Sequence, residues 1–209
     1  MLNKIDYSLY LVTDTELFPR ENLLSTVEKA ILGGVTVVQL REKNISSRLF
    51  YEEACALLKI TKKYGVPLII NDRVDIMLAS GADGIHAGQS DLPASVIRKI
   101  IGKDKILGLS AGTAYEAKKA EADGADYIGV GAVFPTATKT DAVNTGIDIL
   151  TESVKNVKIP TIAIGGINER SLEKLYGCGA DGVAVVSAIM GSDDPKAASE
   201  RLLKMVRNL

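Results

Sequence analysis

Eight short apolar runs, rich in Val, Ile and Leu, recur along the whole chain and alternate with longer amphipathic stretches. They occupy residues 9–12, 35–40, 68–70, 85–87, 106–109, 127–133, 161–164 and 183–186. Most are continuous rather than alternating, the pattern of parallel strands covered on both faces. Between them lie stripes of helical spacing: Leu24, Val27 and Ile31; Phe50, Ala54, Leu57, Leu58 and Thr61; Ala198, Leu202, Val206 and Leu209. Each stripe can cover a sheet. The punctuation repeats too, as Gly33-Gly34-Val35, Gly81-Ala82-Asp83-Gly84-Ile85, Gly124-Ala125-Asp126-Tyr127-Ile128 and Gly179-Ala180-Asp181-Gly182-Val183. Glycine at these points suits a helix end with positive φ.

Eight βα units in 209 residues predict an α/β protein with a single (β/α)8 TIM barrel over residues 1–209, near the lower size limit of that fold. No Pro/Gly/Ser linker or shift in charge marks a second domain. A doubly wound open sheet is the competing architecture, but Thr13-Asp14-Thr15-Glu16-Leu17-Phe18 after the first run is not a dinucleotide-binding loop. In a barrel, Asp83, Asp126 and Asp181 precede strands and so fall at the face opposite the active site, which makes them structural.

Composition narrows the function. With 25 basic and 26 acidic residues the net charge is -1, and with 5% aromatics and no Trp the chain lacks the basic surface and stacking platforms of a nucleic-acid or membrane binder. Small anionic substrates remain, bound through local charge. Cys55 and Cys178 are isolated and the chain has 1 His, so neither a disulfide scaffold nor a zinc site is expected, and a reducing cytoplasm fits best. The first residues contain no signal-length apolar segment, and no run approaches a membrane span. Whether the chain forms a homo-oligomer is left open by the sequence.

The strand ends concentrate the chemistry. Strand two runs into Gln39-Leu40-Arg41-Glu42-Lys43, whose alternation points Gln39, Arg41 and Lys43 the same way. Strand three delivers Asn71-Asp72, strand four Gly88-Gln89-Ser90-Asp91, strand five Ser110, and strand six Phe134-Pro135-Thr136-Ala137-Thr138-Lys139. Strands seven and eight give Gly165-Gly166-Ile167-Asn168 and Val186-Ser187-Ala188. Asp72 and Asp91 thus face the same rim as Arg41, Lys43 and Lys139. Mutual salt bridging is one explanation. The sharper one is a magnesium ion held by both carboxylates and completed by phosphate oxygens, with the cations binding the remaining anionic oxygens. Such a set suits departure of a diphosphate. The Gly165-Gly166 turn and the Val186-Ser187 segment stand where barrels bind phosphate, which suggests a second anion and a condensation of two substrates. His86, between Ile85 and Ala87, reads as a core histidine, and Cys178 lies on the wrong face to act as a nucleophile.

These segments, in this order and spacing, resemble thiamine phosphate synthase over essentially the whole chain. The resemblance rests on Gln39-Leu40-Arg41-Glu42-Lys43, Asn71-Asp72, Gly84-Ile85-His86-Ala87-Gly88-Gln89-Ser90-Asp91, Phe134-Pro135-Thr136-Ala137-Thr138-Lys139 and Ala163-Ile164-Gly165-Gly166-Ile167-Asn168. It implies a cytoplasmic transferase that joins hydroxymethylpyrimidine diphosphate to hydroxyethylthiazole phosphate and releases diphosphate. By position it makes Asp72 and Asp91 magnesium ligands. Gln39, Arg41, Lys43, Asn71, Ser110 and Lys139 become pyrimidine diphosphate contacts, with Arg41, Ser110 and Lys139 the catalytic ones. Thr136, Ala137, Thr138, Gly166, Val186 and Ser187 become the thiazole phosphate site. The polar segment 136–146 is long for a βα loop, as a substrate lid would be. One departure is Ala111-Gly112-Thr113, where the family commonly has a histidine at the middle position. A related thiazole tautomerase needs a catalytic histidine near there, so Gly112 counts against that alternative. A non-catalytic phosphate-binding barrel is the other alternative, and the full set of charged residues argues against it.

Overall fold

The computed structural model describes residues 5–136 and 145–209. Eight parallel strands close into one barrel in chain order: β1 (Leu9–Val12), β2 (Val37–Leu40), β3 (Leu68–Asn71), β4 (Gly84–Ala87), β5 (Ile106–Ala111), β6 (Tyr127–Val130), β7 (Thr161–Ile164) and β8 (Gly182–Val185). β8 pairs with β1, Leu9 opposite Val183, so no strand edge is left open. The strands fall on the eight apolar runs, β3, β4, β5 and β8 within one or two residues at their ends, and two are shorter than the runs. The second begins at Val37 rather than residue 35, and the sixth stops at Val130, because the chain beyond it turns to form the loop over β7.

The period-two alternation divides each strand between two cores. Leu9, Leu11, Val38, Leu40, Leu68, Ile70, Ile85 and Leu107 face outward into the layer shared with the helices. Tyr10, Val12, Val37, Ile69, Ile106, Tyr127, Ile162 and Ala184 face inward and fill the barrel with side chains. The covering helices include α1 (Leu23–Leu32), α2 (Ser47–Tyr64), α3 (Val74–Ser80), α4 (Ala94–Ile101), α5 (Ala114–Ala122), α6 (Gly146–Asn156), the short α7 (Glu169–Leu172) and α8 (Ser187–Met190), and α9 (Pro195–Val206). In α2 the buried face is the predicted Phe50, Ala54, Leu57, Leu58 and Thr61. In α1 Val27 and Ile31 are buried as expected, together with Leu23 and Ala30, whereas Leu24 is exposed. Among the described residues no helix is long and apolar enough to cross a membrane.

The aspartates before the strands have a shared task at the N-terminal face. Asp83, Asp126 and Asp181 each accept, at 2.8 to 2.9 Å, an N–H at or next to the start of the preceding strand: Leu68, Leu107 and Thr161. Each returns its own backbone N–H to the carbonyl of that same residue. Thr36 does the equivalent for β1, its hydroxyl meeting both the N–H and the carbonyl of Leu9. Even-numbered strands are therefore pinned to odd-numbered ones by a side chain at their start. This satisfies backbone groups that the sheet ladder leaves over.

Candidate active site

The C-terminal ends of β2, β3 and β4 bring the charged groups together. Past β2 the alternation continues: Gln39 points into the barrel, while Glu42 points the other way and is buried. Glu42 binds the guanidinium of Arg20 at 2.9 Å and the hydroxyl of Thr15 at 2.7 Å, and Arg20 reaches on to Glu53 of α2. This outward anchor ties β2 to the segment after β1 and so fixes the direction of its neighbours Arg41 and Lys43. Among the described residues Glu42 Oε1 and Glu53 Oε2 are buried without a hydrogen-bond partner, and burial pushes the Glu53 carboxyl up despite Arg20.

Arg41 does not pair with either predicted metal ligand. Its Nη1 meets Oδ2 of Asp14 at 3.0 Å, and its backbone N–H meets the Thr13 hydroxyl. Asp14 is 1% exposed and also accepts the backbone N–H groups of Glu16 and Leu17. Lys43 does pair as mutual salt bridging anticipated, its Nζ 2.5 Å from Oδ2 of Asp72. Asp72 has φ of 60°, a left-handed conformation that aspartate adopts more readily than most residues, and it turns the chain directly after buried Asn71.

Asp91 returns to this cluster from the loop after β4. Its Oδ2 accepts the backbone N–H of Gly88 at 2.7 Å, which fixes the turn. Burial and, more weakly, the neighbouring Asp72 carboxylate push the Asp91 carboxyl up, while the Gly88 N–H and Lys43 pull it down. A carboxyl whose ionisation is opposed by a neighbouring carboxylate marks a place that favours added positive charge. Asp72 and Asp91 are the residues that could hold a divalent ion. Among the described residues Asp91 makes no ion pair, and no group of three or more His, Cys, Asp or Glu gathers into a complete protein-made metal site.

Deeper in the barrel a polar chain crosses from β2 to β5. Gln39 Nε2 donates to the Tyr10 hydroxyl at 2.8 Å, and the Tyr10 and Tyr127 hydroxyls are 2.7 Å apart. Tyr127 meets His86 Nδ1 at 3.0 Å, and His86 Nε2 meets the Ser110 hydroxyl at 3.0 Å. The predicted core histidine is thus satisfied, but by a network that joins two predicted substrate contacts. Ser110 is also held through its carbonyl, which accepts Gln89 Nε2 at 2.6 Å.

On the opposite side of the mouth, Gly165 and Gly166 both have positive φ, 100° and 64°. A Cβ on Gly165 would lie 2.5 Å from Ala132, and one on Gly166 would lie 2.5 Å from the Pro135 carbonyl oxygen. The double glycine lets the chain after β6 pack directly onto the end of β7. Val186 is partly buried against the barrel interior, and exposed Ser187 begins α8. Thr136 is half-buried at the end of the described part of its loop. Ala137, Thr138 and Lys139, with most of the 136–146 segment, lie outside the described residues. At Gly112 the backbone N–H donates to Glu116 at 2.6 Å. Cys178 is buried, and burial pushes its thiol up, as suits a packing role.

Three residues of this mouth escaped the sequence reading. Tyr10 and Tyr127 share the inward register of Gln39 and His86, a signal present in the period-two pattern. Asp14 carried no motif, and only its burial against Arg41 identifies it.

The family model for thiamine monophosphate synthase matches residues 9–189. The chain is 57% identical over 208 residues to a thiamine-phosphate synthase of Ruminiclostridium cellulolyticum, covering 100% of this chain and 99% of that one. It is 55% identical over 203 residues to that of Methanobrevibacter smithii, with 97% of each covered. A solved thiamine phosphate pyrophosphorylase from Pyrococcus furiosus superposes with a TM-score of 0.87 at 40% identity, over 97% of this chain and 96% of that one.

Proposed function

The chain belongs to the thiamine monophosphate synthase family, and from that premise we propose how its barrel mouth carries out thiamine phosphate synthesis. The activity is that of a transferase of thiamine biosynthesis acting on small molecules. The reaction we assign it joins the pyrimidine diphosphate to the thiazole phosphate. The bond from the pyrimidine methylene carbon to the diphosphate oxygen breaks, its electron pair leaves with diphosphate, and the thiazole nitrogen lone pair forms the new C–N bond. No proton needs to move, so the site requires stabilised charge rather than a strong base.

The observation that carries this reading is the cluster of Lys43, Asp72 and Asp91 at one side of the mouth. Asp72 and Asp91 would hold magnesium, with phosphate oxygens and water as the other ligands, which suits an ion that rarely takes a full protein cage. The bound ion would act as a Lewis acid toward the departing diphosphate. Lys43, now neutralising Asp72, is then free to bind diphosphate oxygens. Arg41, aimed by Asp14 and by the Glu42 anchor beneath it, binds others without reorganising its partners. Lys139 is assigned the same role. Gln39, Asn71 and Ser110 line the pyrimidine side. Thr136, Ala137, Thr138, Gly166, Val186 and Ser187 are assigned to the thiazole phosphate. The 136–146 segment serves as the lid over both.

We also take residues 1–209 as one catalytic domain, supported by closure of all eight strands into one barrel, and place the protein in the cytoplasm. The direct test mixes purified protein with both precursors and magnesium and follows thiamine phosphate and diphosphate. Both products are expected in equal amounts, and a chelator should stop their formation. Activity that survives complete chelation would remove the metal from the mechanism. A protein that forms neither product would overturn the assignment.

A further inference from the structure

The five-residue chain inside the barrel has only one direction in which every buried hydrogen finds an acceptor. Gln39 Nε2 can only donate, so the Tyr10 oxygen accepts from it. Burial pushes both tyrosines well above their ordinary range, so each keeps its proton at neutral pH. The Tyr10 hydrogen then goes to Tyr127, its other partner among the described residues. The Tyr127 hydrogen, with its oxygen already accepting from Tyr10, goes to His86 Nδ1. Nδ1 is therefore unprotonated, and Nε2 carries the hydrogen and donates it to the Ser110 oxygen. The reverse order would leave the fully buried Tyr10 hydroxyl with a hydrogen and nowhere to place it.

We propose that His86 is a positioning residue for the reaction: the Gln39-Tyr10-Tyr127 chain locks it as the Nε2–H tautomer, and it orients the Ser110 hydroxyl as a hydrogen-bond donor to an acceptor atom of the pyrimidine substrate. This rests on the reading of Ser110 as a substrate contact. Once Ser110 Oγ accepts from His86, its own hydrogen is the group it can offer. The barrel is shaped to admit the chain. A Cβ on Gly108 would lie 2.1 Å from the Tyr127 ring, and one on Gly129 would lie 3.3 Å from His86 Cε1. Two inward positions on β5 and β6 are thus glycine, where larger side chains would displace the network.

Because the chain has 1 His, the tautomer can be read directly from the two imidazole nitrogen resonances of ¹⁵N-labelled, untagged protein. The expected spectrum has a protonated Nε2 and an unprotonated Nδ1, and Tyr127→Phe should mix the tautomers and draw the two shifts together. A native Nδ1–H would overturn the proposal. The functional arm is a double-mutant cycle. His86→Leu should lower kcat/KM for the pyrimidine substrate about tenfold, the scale of one misplaced hydrogen bond, with the thiazole KM unchanged. His86→Gln, which keeps a donor toward Ser110, should stay within about threefold of native. In a Ser110→Ala background His86→Leu should cost little more; an equal further loss would show that it acts elsewhere and contradict the proposal. If His86→Leu fails to fold, Tyr127→Phe takes its place in the cycle. Ser110→Ala with native turnover would remove the underlying reading, whereas a slow Ser110→Ala beside a fully active His86→Leu overturns this proposal alone.

Discussion

Arg41 and Lys43 stand two residues apart on one strand end, yet they are held in different ways. Lys43 is exposed and paired with Asp72, a pairing that the proposed magnesium would replace; Arg41 is largely buried and paired with Asp14, which is 2% exposed at its side chain. Breaking a buried pair leaves an uncompensated charge and typically costs about 3–5 kcal/mol. Asp14→Ala should therefore lower stability by roughly 3 kcal/mol in denaturant unfolding, and slow turnover as well. Arg41→Ala should reduce kcat about 10²- to 10³-fold, the usual cost of losing a transition-state charge contact. A native kcat in Arg41→Ala would remove that residue from the mechanism. At this scale alternation made the inward direction of Gln39 and Arg41 legible, whereas Asp72 and Asp91 come to the mouth through a left-handed turn and the loop after β4. The sequence was silent on Asp14, because which partner an arginine finds depends on the path of the loop after β1.

The elements divide their two ends between stability and chemistry. Asp83, Asp126 and Asp181 sit at strand starts, and each holds an N–H in the first two residues of the strand before its own. Asp181→Ala should cost about 1–2 kcal/mol, leaving Thr161 N–H unpaired, with kcat unchanged at saturating substrate. A loss of turnover in the folded variant would contradict the structural role. The Arg20 anchor gives a pH prediction. The folded state raises the proton affinity of Glu53 above that of the unfolded chain, so as pH rises through the carboxylate range the unfolded state ionises first and stability falls. Glu53→Gln removes that decline. Its Tm should match or exceed the native one at neutral pH and lose the advantage in acid, and a lower Tm at neutral pH would show that the Glu53 charge is needed by Arg20. The run pattern and the glycine punctuation made these elements readable in advance. The buried face of α1 keeps Val27 and Ile31 as the stripe requires, but Leu23 takes the place expected of Leu24, because both fit a helical stripe and only packing against the barrel separates them.

For the whole molecule, closing eight short strands into a barrel places residues from distant parts of the chain around one opening. Carboxylates from the ends of β3 and β4 then lie beside each other, with Lys43 paired to Asp72. That arrangement costs stability when both carboxylates ionise and regains it when a cation binds, since a ligand of the native state stabilises it by mass action. Magnesium should raise the native Tm at neutral pH, do so less in acid where Asp91 is protonated, and leave Asp91→Asn unmoved. An equal rise in that variant would place the ion elsewhere. The fold and the charged rim follow from a repeated pattern, whereas the Gln39-to-Ser110 chain emerges only when five strands are brought into register. The most direct measurement is calorimetric binding of inorganic diphosphate with and without magnesium. Magnesium should tighten binding about tenfold or more in the native protein and have no such effect in Asp91→Asn. Equal diphosphate affinity with and without magnesium in the native protein would contradict a metal-bridged leaving group.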